Sequence, residues 1–362
     1  MLLYPAIDLL GGRVVRLREG DYDRVTDYGD DALAVAAAWR EAGATWLHVV
    51  DLDAARGSGD NRAVIARLAA ESGLKVQLGG GIRSAEIAAD RLGLGVSRLV
   101  IGTWAVREPA AVGALLREAP GSYAIACDSR DEVIRVEGWT ESGAVSLSSF
   151  AKTMQQAGAR VLIFTDIARD GVYTGPGIER AVRLREETGL EVILSAGVRD
   201  RADVMAAARA GLDGLIIGRA LHDGRIELGA VLEELEQRAR ERAGRLWAKL
   251  RPDARGLVPI VTVAADDGMV LMQAFVDEEA LAATLVTGYL HYHSRSRGRL
   301  WMKGETSGHV QRLIELRVDC DADCLLARVE QTGVACHLGT RSCFARRVDE
   351  LLSDEEGENK NE

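Results

Sequence analysis

Residues Leu74–Arg83 read LKVQLGGGIR, a short apolar run that stops at three glycines. A run of this kind fits a strand buried on both faces, and glycine directly after it allows a tight turn. Seven further stretches share the build: MLLYPAIDL (1–9), WLHVVDLD (46–53), SRLVIGT (97–103), SYAIACD (122–128), ARVLIFTD (159–166), LEVILSAG (190–197) and DGLIIGR (213–219). Ala/Leu/Arg-rich helical patterns lie between them. Continuous apolar strands separated by helices make a parallel α/β sheet covered by helices. Eight of them over about 250 residues suit a closed (β/α)8 TIM barrel.

The second half of this region echoes the first. Ala42-Gly43-Ala44 recurs as Ala157-Gly158-Ala159 and Asp51-Leu52 as Asp166-Ile167, a spacing of 115 in both cases. Gly81-Ile82-Arg83 recurs as Gly197-Val198-Arg199 and Ile101-Gly102 as Ile217-Gly218, a spacing of 116. The barrel therefore reads as two half-barrels.

A chain of 362 residues exceeds what one core usually serves. LGAVLEELEQRARERAGRLWAKL carries Leu228, Val231, Leu232 and Leu235 at helical spacing and reads as the last barrel helix. The expected organisation is a barrel over 1–243, a linker over 244–256, a smaller α+β domain over 257–349 and an acidic tail over 350–362. With 47% hydrophobic and 28% charged residues the composition is that of a soluble globular protein. No apolar run is long enough to span a membrane. The N-terminus lacks a basic leader with an apolar core, so no signal peptide and a cytoplasmic location are expected. A net charge of −10 argues against a general nucleic-acid binder, leaving anionic small substrates to local positive charge.

Active sites of such barrels sit at the C-terminal ends of the strands, so polar residues just past the apolar runs are the ones to weigh. They are Asp8, Asp51, Asp128, Thr165, Asp166 and Asp170. A carboxylate there also serves as a helix cap. Asp8 and Asp128, however, hold similar places in the two halves, each followed by a Val/Ile-Arg hairpin-like segment. Gly79-Gly80-Gly81, Ser195-Ala196-Gly197, Gly102-Thr103 and Gly218-Arg219 also end strands. Bare amides and following helix N-termini at such places can hold phosphate oxygens. One set per half implies a substrate with a phosphate at each end.

Cys127 stands alone, whereas Cys320, Cys324, Cys336 and Cys343 crowd into one stretch. Five thiols argue against a disulfide framework. Cys320, Cys336 and Cys343 could converge on one zinc with the fourth position open for water, a catalytic pattern. The alternative is a closed, purely structural zinc module with Cys324 as fourth ligand. Asp319-Cys320-Asp321-Ala322-Asp323 sets three carboxylates at alternating positions. If extended, they share one face suited to a hard cation such as Mg2+; as a loop they are either solvated or bound to a cation. His337 could transfer protons, and Arg295, Arg297, Lys303 and the turn 304–308 are candidate phosphate contacts.

PAIDLLGGRVVRL, LGGGIRS, VEGW and TDIARDG together resemble the phosphoribosylformimino-aminoimidazole carboxamide ribotide isomerases of histidine biosynthesis, across residues 1–240. The resemblance implies a cofactor-free Amadori rearrangement of an aminoaldose to an aminoketose. An acid must open the furanose by protonating its ring oxygen, and a base must take the C2′ proton. The resemblance implies Asp8 as the base, Asp170 or Asp128 as the acid, Thr165 as a hydrogen-bonding partner and Trp139 stacked on the substrate's imidazole. Relatives that also isomerise phosphoribosylanthranilate are expected to carry an extra arginine beside the Gly-Trp. Val136-Glu137-Gly138-Trp139 favours the single-substrate form.

HYHSRSRGRLWMKGETSG, DCDAD and ACHLGTRSCF resemble phosphoribosyl-AMP cyclohydrolase across residues 257–348. That implies zinc on Cys320, Cys336 and Cys343, magnesium on Asp319, Asp321 and Asp323, and a homodimer through the C-terminal domain. The implied reaction is attack of a zinc-activated water on C6 of the adenine ring and opening of the N1–C6 bond. Cys324 falls outside the implied ligand set and reads as a packing residue. His293, Met302 and His309 stand where Trp, His and Asn are expected, which bears on substrate positioning. The product implied for this domain is the substrate implied for the barrel, so the two would perform consecutive steps.

Overall fold

The computed structural model describes residues 1–350 other than 19, 120 and 140, and only the backbone of 142–144. The acidic tail expected over 350–362 lies, from 351 on, outside the described residues. The chain divides into two compact units, Met1–Glu233 and Glu234–Glu362.

In the first unit β1 (Leu2–Leu10) is followed by a hairpin of β2 (Arg13–Arg18) and β3 (Asp21–Gly29), then by β4 (Trp46–Asp51), β5 (Lys75–Gly79) and β6 (Arg98–Ile101). Next come β7 (Tyr123–Arg130), a second hairpin of β8 (Val133–Val136) and β9 (Glu141–Ser146), and finally β10 (Val161–Asp166), β11 (Glu191–Ser195) and β12 (Gly214–Ile217). The pairing runs β10-β11-β12-β1-β4-β5-β6-β7, and β7 also pairs in parallel with β10, which closes the ring. These are the eight apolar runs of the sequence. Tyr4, Ala6, Val161, Ile163, Ile193 and Ile216 belong to one buried cluster inside the ring.

The helices outside the ring have local causes. Ser146 accepts the Ser149 amide at 3.2 Å and starts the helix Leu147–Ala157, whose Leu147, Phe150, Ala151 and Met154 form one buried face. Gly158, at φ +107°, ends it. The two hairpins sit at equivalent places: β2 runs antiparallel to β1 with Val15 opposite Asp8, and β8 runs antiparallel to β7 with Ile134 opposite Ser129. The half-barrel repeat thus includes the loops at the mouth.

The helix Leu228–Trp247 corrects one expectation. Leu228 and Val231 are buried, but Ala243, Leu246 and Trp247 belong to the core of the second unit. It is a barrel helix only at its start, and residues 244–247, expected as linker, are helical. The spacing of Ala243, Leu246 and Trp247 continues the apolar stripe, and one glycine at 244 costs a helix only about 1 kcal/mol.

The second unit contains β13 (Val258–Ala264), β14 (Val270–Val276), the helix Glu278–Thr287, the hairpin β15 (His291–Ser294) and β16 (Arg299–Met302), and then β17 (Gln311–Val318) and β18 (Leu325–Gln331). The sheet order is β14-β13-β18-β17. Val258, Ile260, Thr262 and Ala264 alternate inward along β13. They join Leu271, Leu281, Tyr292 and Val329 in a core of α+β type. Among the described residues no helix is long and apolar enough to cross a membrane.

Candidate active sites

The C-terminal ends of the barrel strands open into a cavity lined by Asp8, Arg16, His48, Gly80, Gly81, Gly102, Thr103, Asp128, Trp139, Thr165 and Asp170. A second, smaller cavity shares Arg16 and Asp170 and adds Gly197, Gly218 and Arg219. Asp8, Gly80, Gly81, Gly102, Thr103, Asp128, Trp139, Thr165 and Asp170, singled out from the sequence, thus line the first cavity, and Gly197, Gly218 and Arg219 line the second, whereas His337, Arg295 and Lys303 belong to the second unit.

Asp8 ends the core-facing part of β1 and is 8% exposed. Burial pushes its carboxyl up to about 6, against the pull of Arg16, whose Nη1 donates to it at 2.9 Å; the charge of Asp170 adds to the rise. A carboxylate at about 6 is ionised at neutral pH yet basic enough to take a proton. Arg16 comes from β2 and went unremarked in the sequence, where an arginine in a hairpin reads as solvated surface. Its guanidinium lies where a side chain on Gly218 would be, 2.5 Å from an ideal Cβ.

Asp128, on β7, is opposite Thr165 of β10 in register. Burial raises its carboxyl, while hydrogen bonds from Thr165 and Trp139 hold it down and Asp170 raises it further. The Trp139 indole Nε1 donates to Asp128 Oδ2 at 2.9 Å. Trp139 sits at φ +75°, after Glu137 and Gly138 in the same left-handed region. Strained backbone of this sort persists only where the surroundings dictate it. Here the Glu137 amide donates to Thr103 Oγ1 at 2.9 Å, and the indole lies against Gly20, leaving no room there for a Cβ.

Gly81 and Gly197 are the symmetry-related glycines after β5 and β11. Both have positive φ, +71° and +79°, and an added Cβ would stand 2.7 Å from Ala54 O and 2.5 Å from Gly175 O. The short helices Thr103–Arg107 and Arg219–His222 start at Gly102 and Gly218, and neither glycine supplies a side-chain cap to the first amides. Arg219 donates to Gly171 O at 2.8 Å and to Asp223 at 3.2 Å, so it also ties the segment after Asp170.

The remaining strand-end carboxylates are structural. Asp51 accepts from the Ala54 and Asn61 amides at 3.1 and 3.0 Å and caps the helix Leu52–Arg56. Asp166 is paired with Arg169 and Arg180, both at 3.0 Å. His48, buried on β4, lines the mouth and was missed, because a lone histidine inside WLHVVDLD reads as core.

In the second unit the run 319–323 is a turn between β17 and β18, not an extended face. Ala322, at φ +64°, bends it back, and the Asp323 and Cys324 amides both donate to Asp319 Oδ1 at 3.1 Å. Asp319, Asp321 and Asp323 are the one group of three His, Cys, Asp or Glu side chains among the described residues whose ligand atoms all lie within 4.8 Å of one another. The Asp321 charge raises the Asp323 carboxyl. Crowded oxygen donors of this kind match a hard divalent cation.

The three expected zinc thiols do not gather in one chain. The free thiols of Cys336 and Cys343 share a hydrogen bond near Lys303, and the Leu338 amide helps hold the Cys336 thiol below its ordinary range. Cys320 is exposed at the turn, with its Sγ 4.0 Å from Asp321 Oδ1. A soft three-thiolate set suits zinc chemically, but a single chain brings only two thiols together. Lys303, expected as a phosphate contact, is 8% exposed; burial lowers its pKa, and its Nζ donates to His309 O at 3.3 Å. Arg295 stacks over Phe275 at 4.0 Å, and His337 is exposed. His293, one of the atypical residues, pairs with Asp277 at 2.6 Å.

Comparison with known proteins bears on both units. The family profile described as "Histidine biosynthesis protein" matches residues 2–227, and that of "Phosphoribosyl-AMP cyclohydrolase" matches residues 272–345. The chain is 44% identical over 236 residues to a protein of Erythrobacter litoralis named 1-(5-phosphoribosyl)-5-((5-phosphoribosylamino)methylideneamino) imidazole-4-carboxamide isomerase, covering 64% of this chain and 98% of that one. A protein of the same name from Acetivibrio thermocellus is 39% identical over 234 residues, 64% of this chain and 99% of that one. Another from Cyanothece is 40% identical over 257 residues, 70% of this chain and 97% of that one.

Proposed function

Since this chain belongs to the histidine biosynthesis protein family and carries a phosphoribosyl-AMP cyclohydrolase domain in the same polypeptide, we propose that it performs two consecutive reactions on phosphoribosyl substrates. The C-terminal domain opens the N1–C6 bond of phosphoribosyl-AMP to give the aminoaldose ribotide. The barrel isomerises that ribotide to the aminoketose by an Amadori rearrangement. The limit between the two domains falls within the helix Leu228–Trp247. The observation that carries the barrel reading is the placing of buried Asp8 and half-buried Asp128 with Asp170 around one mouth whose edges are Gly81 in one half and Gly197 in the other.

In this reading Asp8 takes the C2′ proton, its basicity raised by burial and its direction held by Arg16. Asp170, on the segment after β10, protonates the furanose oxygen. Asp128 orients Trp139 through the indole N–H, and the ring stacks on the substrate's imidazole; Thr165 holds the other side of Asp128. The backbone at Gly80, Gly81, Gly102 and Thr103 takes one phosphate, and that at Gly197, Gly218 and Arg219 the other. No cofactor is assigned to the barrel.

In the cyclohydrolase domain Cys320, Cys336 and Cys343 would hold zinc, and Asp319, Asp321 and Asp323 magnesium. Zinc, when bound, lowers the pKa of water to near neutrality. Because Cys320 stands apart from the other two thiols, the set is completed by a second copy of the chain, as a homodimer through this domain. The exposed Leu338 and Phe344 beside the thiols, 74% and 62% accessible, support that reading. His337 would transfer protons, and Arg295 and Lys303 would steady the anionic substrate. A structural zinc module without hydrolysis is the competing reading. Supplying the aminoaldose ribotide to the full chain and to its Asp8→Asn variant tests the barrel: aminoketose from the first and none from the second supports the assignment, and equal yields oppose it.

A further inference from the structure

Three polar side chains form a row across the inside of the barrel, where apolar residues normally fill the space. His48 of β4 is the register partner of Gln77 of β5, and Gln77 that of Arg98 of β6. They are 8%, 0% and 9% exposed. Arg98 Nη1 lies 3.1 Å from Gln77 Oε1, and Gln77 Nε2 lies 3.0 Å from His48 Nδ1. The Arg98 guanidinium is itself placed by stacking over Trp46 at 4.7 Å.

The chemistry of the donors leaves one arrangement. A guanidinium has only protons to give, so the atom facing Arg98 must be the amide oxygen. The amide nitrogen then faces His48 and can only donate. His48 Nδ1 must therefore carry a lone pair, which excludes both the Nδ1–H tautomer and the imidazolium. The one ring proton sits on Nε2, a nitrogen with no hydrogen-bond partner among the described residues, on a ring that lines the same mouth as Asp8, Asp128 and Asp170.

We propose that Arg98 and Gln77 are positioning residues that fix His48 as a neutral imidazole with its proton on Nε2, so that it donates a hydrogen bond to a sugar oxygen of the phosphoribosyl substrate at the barrel mouth. This rests on the isomerase reading above. Burial and the Arg16 charge push the His48 imidazole down to about 3, in keeping with a ring that stays neutral. Neutrality has a consequence for its neighbour: a cationic His48 would strengthen the acid Asp8 and blunt it as a base. A buried amide and guanidinium are expensive in an apolar layer, and a fixed tautomer beside the reacting sugar is what they secure.

The tautomer is measurable without turnover. The full chain labelled with 15N-histidine, with His48 assigned by comparison with a His48→Gln sample among the six histidines, is expected to show a bare Nδ1 and a proton on Nε2 at neutral pH. A proton on Nδ1 overturns the proposal. Gln77→Glu keeps the shape and gives Arg98 a carboxylate, while turning the donor into an acceptor; Nδ1 then acquires a proton, and an unaltered ring spectrum overturns the role of Gln77. In steady-state isomerisation His48→Phe is expected to lose about 100-fold in kcat, the usual loss for one donor aimed at the reacting group, with KM within about threefold. His48→Gln, whose amide N–H reaches the place of Nε2–H, recovers at least about tenfold of that loss. Unchanged kcat in His48→Phe contradicts the proposal, whereas an unmodified chain without isomerase activity refutes the isomerase reading and leaves the tautomer result standing.

Discussion

Trp139 donates an indole N–H hydrogen bond to Asp128 across 2.9 Å from a backbone at φ +75°, a conformation a bulky residue holds only under constraint. The bond joins two hairpin-bearing parts of one half-barrel: the carboxylate at the end of β7 and the loop between β8 and β9. It fixes the ring over the mouth and occupies one oxygen of Asp128.

Trp139→Phe keeps an aromatic face and removes the donor. A half-buried carboxylate left short of one hydrogen bond costs up to about 1–3 kcal/mol, so isomerase kcat/KM is expected to fall by up to about 100-fold. The circular dichroism spectrum and the cyclohydrolase rate should be unaffected. An unchanged isomerase rate would detach the ring from substrate binding.

The raised carboxyl of Asp8 gives the pH dependence a definite sign. Below about 6 it is protonated and cannot act as a base; above it is ionised and can. Isomerase kcat/KM is therefore expected to rise with pH through about 6 and then level off. A limb centred at the ordinary carboxylate value near 3.8 would mean that another group sets it. The same shift makes Asp8 a cost to the fold at neutral pH. The folded state binds its proton more tightly than the unfolded one, so this contribution to stability is full below the unfolded value and fades as pH rises through about 6.

Gly197→Ala should damage the fold as well as the site. The alanine would have to adopt φ +79° with its Cβ 2.5 Å from Gly175 O. Strain of this kind costs about 1–3 kcal/mol, visible as a melting temperature lower by several degrees. Gly189→Ala, also at positive φ but with open space around it, serves as the control for backbone conformation alone.

Cys336→Ser and Cys320→Ser should each abolish hydrolysis of phosphoribosyl-AMP while leaving isomerisation of the aminoaldose ribotide intact. If the thiols are shared between chains, mixing the two inactive variants restores up to about a quarter to a half of the activity through mixed dimers. A monomeric mass in light scattering, with hydrolysis retained, would contradict the shared site.

The barrel was legible because its eight strands are apolar runs that end in glycine or a carboxylate, and because the two halves repeat at nearly constant spacing. Asp8, Asp128 and the paired glycine edges could be placed at the mouth from position alone, and Trp139 only from the family resemblance. What stayed hidden depends on partners far along the chain. Arg16 and His48 acquire meaning only when β1, β2 and β4 come together, and Asp51 and Asp166 are told apart from Asp8 only by their caps and ion pairs. In the second unit the alternation of the three aspartates suggested a strand face, but a left-handed Ala322 makes a turn of it. The spacing of the thiols gave no sign that one stands apart from the other two. Nor could periodicity show that the helix from Leu228 changes cores along its length.

The most direct test is a time course of the full chain on phosphoribosyl-AMP, followed by chromatography with and without a zinc chelator. Without chelator the aminoaldose ribotide should form first and then convert to its ketose isomer; with chelator neither should form, although added aminoaldose ribotide should still be isomerised. Hydrolysis that survives complete removal of the metal, or an aminoaldose that accumulates and is never converted, would contradict the assignment of two activities to this chain.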